Sequence, residues 1–245
     1  MTRAVSRWLA LLAALLTLLS VSGVYAADRA FARRFPASGQ PALNTTGNIS
    51  LIGNTSETCL VAASPVAPAT CAASVLSVAA TTTGSLATSN NNNYNMVYVN
   101  QGGAAGNGTL NASQSVLGIP ASATVKWAGL YWAGETATAS RNTVRFATPK
   151  AGYRLVTASV VDTSTTNANR YQGFADVSAD VLSGGNGTYT VADVQSTTGA
   201  VDKYAGWSLV VVYTDASEKP RNLAVFDGLV SVANGSPKKI GRAHV

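Results

Sequence analysis

Residues 205–228 read AGWSLVVVYTDASEKPRNLAVFDG, and the fold turns on how that stretch is parsed. Its first half, Trp207 through Tyr213, is an almost unbroken run of large and β-branched residues. Such a run fits a strand covered on both faces, because strand preference is mostly a matter of packing a pleated surface. A short polar link with a proline follows, ending at Pro220. Leu223, Val225 and Asp227 then alternate with Ala224, Phe226 and Gly228, the period of a strand with two unlike faces. The stretch predicts a β-hairpin with a loop of about six residues, placed at the centre of an all-β domain.

A second ribbon, ATVKWAGLYW at 123–132, has the same character. Val125, Trp127, Gly129 and Tyr131 fall on one face, and Lys126, Ala128, Leu130 and Trp132 on the other. Both faces are mostly apolar, so this too is an interior strand, with Gly129 marking the close approach of a ring or backbone. The expected core signature is Trp127, Leu130, Tyr131, Trp132, Trp207, Val211, Tyr213 and Phe226. Shorter strands are expected at 48–52, 96–99, 116–119 and 188–194, with a hairpin of 142–147 and 153–161 joined through Pro149 and Gly152. Residues 176–182 break the pattern and predict one or two helical turns, with Asp176 as N-cap and Gly184 as stop. Strand and helix both stay open for the alanine-rich 73–80. The asparagine-rich 81–95 and glycine-rich 101–108 read as loops, the latter without the lysine of a phosphate-binding loop. The sum is a β-sandwich or jelly roll, a single domain over 41–237 that is incomplete at its C-terminal end.

The ends read differently from the middle. Arg3 and Arg7, the apolar stretch 8–21 and Val24-Tyr25-Ala26 have the form of a secretory signal cleaved after Ala26, so residues 1–26 are expected to be removed. The apolar core is shorter than the roughly 20 residues of a spanning helix, so no membrane span is expected after cleavage. Residues 27–40 are polar, contain Pro36 and lack periodicity, which predicts a leader or linker. KIGRAHV at 239–245 resembles a reading frame of a DNA-sequencing adapter, so 238–245 is expected to be a non-native tail that includes the lone His244. Cys59 and Cys71 are the only cysteines, and an oxidising compartment favours a disulfide between them over two thiols or a metal pair.

The formal net charge of +6 shrinks to +4 without Arg3 and Arg7, and to +2 without Lys239 and Arg242. Arg29, Arg33 and Arg34 form a small basic cluster that reads as a solvated mature N-terminus, and nothing in it predicts nucleic-acid binding. Charged residues are only 11% of the chain, against ~25% in an average soluble protein, so Ser, Thr, Asn and Gly must supply the polar surface.

KWAGLYWAGE (126–135), NTVRFATP (142–149), YTVADV (189–194), YAGWSLVVVYTD (204–215) and RNLAVFDG (221–228), opened by GNISLIGNTSETC (47–59), together resemble the N-terminal extracellular domain of large bacterial adhesin-like surface proteins with tandem Ig-like repeats. The resemblance covers roughly 44–232. It implies a secreted or wall-associated β domain, attached through sequence downstream of this chain, and it carries no catalytic residue across.

Chemistry read from the residues is sparse. A glycosidase needs two carboxylates flanking the bond, and Glu135, Asp162, Asp176, Asp180 and Asp193 are the mid-chain candidates, with nothing in the sequence to pair them. Serine hydrolysis lacks both a nucleophile elbow and a credible histidine. Calcium could draw on 90–95 or on Asp176 and Asp180, but the EF-hand signature is missing, so no cofactor is expected. Lys126, on an apolar strand, suggests either a lysine–asparagine isopeptide bond or a lysine reaching outward at an edge. Trp127, Tyr131, Trp132 and Trp207 could be a sugar-stacking platform, though core packing is the plainer reading. The expectation is a non-enzymatic, surface-exposed domain with an unidentified surface or glycan ligand; the alternative is a carbohydrate-binding module or jelly-roll hydrolase.

Overall fold

A ribbon that is apolar on both faces needs a layer on each side of the sheet that carries it. The computed structural model, which describes residues 26–59, 95–101 and 108–231, has that arrangement. In chain order the elements are β1 (Ala26–Ala27), β2 (Ala32–Phe35), β3 (Leu43–Thr55), β4 (Glu57–Cys59), β5 (Met96–Tyr98), β6 (Ala112–Leu117), β7 (Thr124–Glu135), β8 (Thr143–Thr148), β9 (Ala151–Thr157), β10 (Val160–Thr163), β11 (Arg170–Asp176), α1 (Ser178–Gly184), β12 (Gly187–Ala192), β13 (Ala205–Thr214), β14 (Pro220–Leu223) and β15 (Val225–Asp227). The fold is all-β. A seven-stranded sheet runs β1-β10-β11-β7-β13-β3-β14 and a four-stranded sheet runs β6-β12-β8-β9, while β2 pairs with β15 and β4 with β5.

The two ribbons lie side by side as β7 and β13, with Trp132 opposite Trp207, Leu130 opposite Leu209 and Ala128 opposite Val211. Those inward residues pack with Phe146, Tyr189 and Val191 of the four-stranded sheet into the larger core. A buried bond ties the two layers where Trp207 Nε1 donates to Ser113 Oγ at 2.8 Å. The opposite face of the same strands builds a second core from Trp127, Phe174, Val212 and Leu223, with Phe35, Tyr131 and Val225 packed against it. Phe35 stacks on Trp127 at 5.6 Å, and Trp127 on Phe174 at 6.2 Å. Gly129 lies under the Trp127 ring, and a Cβ there would come within 2.3 Å of it, so the close approach requires glycine. Fully burying one such large apolar side chain stabilises by about 1.5–3 kcal/mol, and both faces of β7 and β13 contribute.

The structure departs from the sequence reading at several places. The strand after β13 does not return beside it as a hairpin. Both edges of β13 are taken by β7 and β3 along most of its length, which leaves no edge to pair with. The link 215–219 therefore turns, with Asp215 Oδ1 accepting the Ser217 N–H at 2.8 Å, and carries the chain to the far side of β3. There β14 pairs with Leu43 through Thr46. Pro220, which has no N–H to donate, opens this edge strand.

Phe226 is half exposed rather than core, at 51%. In β15 the inward position belongs to Asp227, which is buried, so the period of two turns Phe226 outward. Lys126 is exposed at the start of β7, the outward-reaching alternative rather than a buried lysine. Residues 27–40, read as a linker, contribute β2 and the end of β1, which runs parallel to β10. The helix begins at Ser178, with Val177 as N-cap; Asp176 ends β11, and its carboxylate accepts the Ser178 N–H at 2.9 Å. Gly185, at φ +66°, closes the helix one residue beyond the expected stop. The β8–β9 hairpin forms, but its second strand stops at Thr157, and Val160 and Val161, expected to continue it, belong to β10 of the seven-stranded sheet. Residues 1–25, Cys71, the asparagine run 90–93 and the tail 238–245 lie outside the described residues, while Cys59 ends β4. Among the described residues no helix is long and apolar enough to cross a membrane.

Candidate functional site

Each of the five candidate carboxylates is engaged by a partner of its own. Glu135, at the end of β7, accepts from Lys203 Nζ at 2.7 Å and Arg170 Nε at 3.0 Å. Burial works against its ionisation, but these two cations prevail and hold the carboxyl below its usual range. Asp162 of β10 pairs with Arg29 at 2.8 Å. Asp193 pairs with Arg145 at 2.8 Å and accepts the Leu110 N–H, and Asp180 pairs with Arg154. Among the described residues no group of three histidine, cysteine or acidic side chains is arranged to hold a metal ion.

The basic cluster of the N-terminal segment is not a solvated end. Arg29 grips Asp162 side-on, through Nε at 2.9 Å and Nη2 at 2.8 Å, and reaches Asp227 Oδ1 with Nη1 at 2.9 Å. Arg34 reaches Asp227 Oδ2 at 2.7 Å and lies 4.3 Å over the Phe174 ring. The Tyr131 hydroxyl donates to the same carboxylate at 3.0 Å. Burial opposes the Asp227 charge, yet the bonds from Arg34, Arg29 and Tyr131 keep its carboxyl below the ordinary value. Arg33 points away, donating to the Gln40 carbonyl at 2.6 Å. These partners lie 96 to 198 residues apart, which is why composition and periodicity passed over them. The one sequence hint was an aspartate at a core-phase position of β15.

A further junction lies beside this one. Asp28 accepts from the Ser231 hydroxyl at 2.6 Å, the Ser231 N–H at 3.1 Å and the Thr165 hydroxyl at 2.9 Å. The Ser231 bond leads this set, which holds the carboxyl down at about 2. Ser231 Oγ is also 2.7 Å from Ser164 Oγ. The start of the described chain, the β10–β11 loop and the segment after β15 are thus stitched together. The β10–β11 loop and the segment after β15 line a cavity of about 200 Å³ together with Ala133, Arg170, Gln172 and Tyr204.

Trp127, Trp132 and Trp207 are buried, so they present no stacking face, and Tyr131 is turned into the second core. The ring that does meet an opening is Tyr204. A last polar feature is Glu57, which is buried with neither carboxylate oxygen hydrogen-bonded. Burial pushes its carboxyl up, and the nearby Ser196 hydroxyl and Lys203 ammonium offset this only in part.

Comparison with models of known protein families, with curated proteins and with solved structures finds no match for this chain.

Proposed function

We propose that this chain is a non-enzymatic, exported domain of a bacterial cell-surface, adhesin-like protein, serving surface structure or attachment. The observation that supports this most is the engagement of the carboxylates. A glycosidase keeps one carboxyl protonated beside the bond it breaks, whereas Glu135 faces two cations that favour its ionised form, and Asp162 is taken up in an ion pair with Arg29. The carboxyl that burial does push up, Glu57, is 1% exposed and out of reach of a substrate. A β-sandwich with a polar but weakly charged surface suits an exported domain, and the reading invokes no cofactor, membrane span or nucleic acid.

The test has two arms. Antibodies against the purified mature chain should label intact cells of the source bacterium, and the chain should release no reducing ends from a panel of polysaccharides. Unlabelled cells, or hydrolysis lost on Glu135→Gln, would overturn the reading.

A further inference from the structure

We propose that the cavity between Arg170, Gln172, Tyr204, Thr166 and Ser231 binds a carboxylate-bearing saccharide residue, a uronate or a sialate. The inference rests on the attachment reading and supplies its ligand class. Arg170 is anchored through Nε alone, on Glu135 Oε2 at 3.0 Å. That bond sets the guanidinium plane, while the side chain stays 47% exposed on the cavity wall. An arginine held this way presents a planar fork of N–H groups to an incoming carboxylate, the geometry that makes arginine the preferred partner of such groups.

The lining also holds a hydroxyl chain with a fixed direction, Ser231, Ser164 and Thr166. Ser231 commits its proton to Asp28, whose ionised carboxylate can only accept. Ser164 must then donate to Ser231 across 2.7 Å, and Thr166 Oγ1, 2.9 Å from Ser164, keeps acceptor capacity for a ligand hydroxyl. Gln172 adds an amide that both donates and accepts. Tyr204 supplies a partly exposed ring, an apolar body with a polar tip, against which the C–H face of a sugar can lie.

Size narrows the ligand further. About 200 Å³ is below the roughly 300–1,000 Å³ of sites for drug-sized ligands, so the cavity takes one terminal residue rather than a buried chain. A peptide carboxyl terminus would satisfy Arg170, but its last side chain would face the hydroxyl chain. The saccharide matches both.

The mature chain is titrated with methyl β-glucuronide, N-acetylneuraminic acid, methyl β-glucoside and a short peptide with a free carboxyl terminus, followed by saturation-transfer NMR and calorimetry. At least one of the two acidic sugars should bind about tenfold more tightly than the neutral glucoside, the size of one charge-assisted contact. Tyr204→Ala should weaken it by about tenfold, and the exposed Thr166→Val should weaken it by a smaller factor with an unchanged melting curve. If Tyr204→Ala unfolds the chain, Thr166→Val alone decides. No binding by either acidic sugar, equal binding of the glucoside, a peptide that matches the sugars, or affinity indifferent to Thr166→Val would each overturn the proposal. Cell labelling without sugar binding would defeat this inference and leave the attachment reading standing. Sugar binding accompanied by hydrolysis would do the reverse.

Discussion

The two faces of β7 and β13 are built from the same strands yet are closed by different means. The inner face meets the four-stranded sheet, all of it from the middle of the described chain, and apolar packing closes it. The outer face meets β2 and β15, which come from the two ends of the described chain, and its cover is held by Arg29, Arg34, Asp162 and Asp227 as much as by Phe35 and Val225. Apolar burial is non-directional and little affected by salt, whereas ion pairs depend on geometry and protonation. The inner layer should therefore set global stability, and the outer layer should be the part that conditions can loosen.

The largest expected effect tests the inner layer. Trp132 is 1% exposed and lies over Gly173, whose added Cβ would come within 2.4 Å of its ring. Trp132→Ala should cost about 3–5 kcal/mol by lost transfer energy and the cavity left behind, read as a lower denaturant midpoint. A loss below 1 kcal/mol would mean that the two sheets are not packed through this ring.

The outer layer is tested at Asp227. Asp227→Asn leaves two arginines and the Tyr131 hydroxyl short of their charged acceptor, and should cost about 2–3 kcal/mol, the size of a charge-assisted bond. The loss should be local. Amides of the strap formed by β15 and residues 228–231, such as Leu229 N–H bonded to the Arg29 carbonyl, should exchange faster, while those of β12 and β8 stay protected. Because the Asp227 carboxyl is held below its usual value, its contribution is complete above the unfolded pKa of about 3.9 and disappears as pH falls through the folded value. The wild type should therefore lose part of its advantage over Asp227→Asn in acid, and a constant difference down to pH 2 would contradict the ion-pair account.

The same contrast explains what could be read from the chain. The face assignments from 127 to 132 are those found, with Leu130 and Trp132 in one core and Trp127 and Tyr131 in the other, whereas Val125 packs with the Leu130 side because the register shifts between Val212 and Tyr213. Two-residue alternation records burial directly, so such ribbons are legible. Strand partners are not. Nothing local in 215–220 tells whether the chain turns back beside β13 or crosses to the far edge of β3, because the outcome depends on what already occupies β13. The clamp was illegible for a related reason: Arg29 finds its acceptors 133 and 198 positions away. The cavity drew even less signal, since its lining residues are ordinary ones singly.

Glu57 offers a smaller effect of opposite sign. It is the buried carboxylate with no hydrogen bond, and its carboxyl is pushed up by burial. A raised pKa favours the fold below the unfolded value of about 4.3, and this support is lost as pH rises through the folded value. Near neutrality the group is strained toward protonation. Glu57→Gln removes the charge and keeps the shape, so it should stabilise by about 1 kcal/mol at pH 7 and by less at pH 4. Destabilisation at pH 7 would show that the charged form has a partner worth more than its burial costs.

Phe226 gives the smallest effect and the sharpest test of periodicity against packing. Parsed from the sequence, it belongs to the core, and replacing a core phenylalanine by a small residue costs about 3–5 kcal/mol. In the fold it is half exposed on the strap, next to a buried Asp227 that takes the inward position. Threonine keeps β-propensity at that position while removing the ring. Phe226→Thr should therefore shift stability by no more than about 0.5 kcal/mol, with hydrogen exchange in both cores unchanged. A loss of core size would mean that the strap is turned over in solution, with the phenylalanine inward and the Asp227 clamp open.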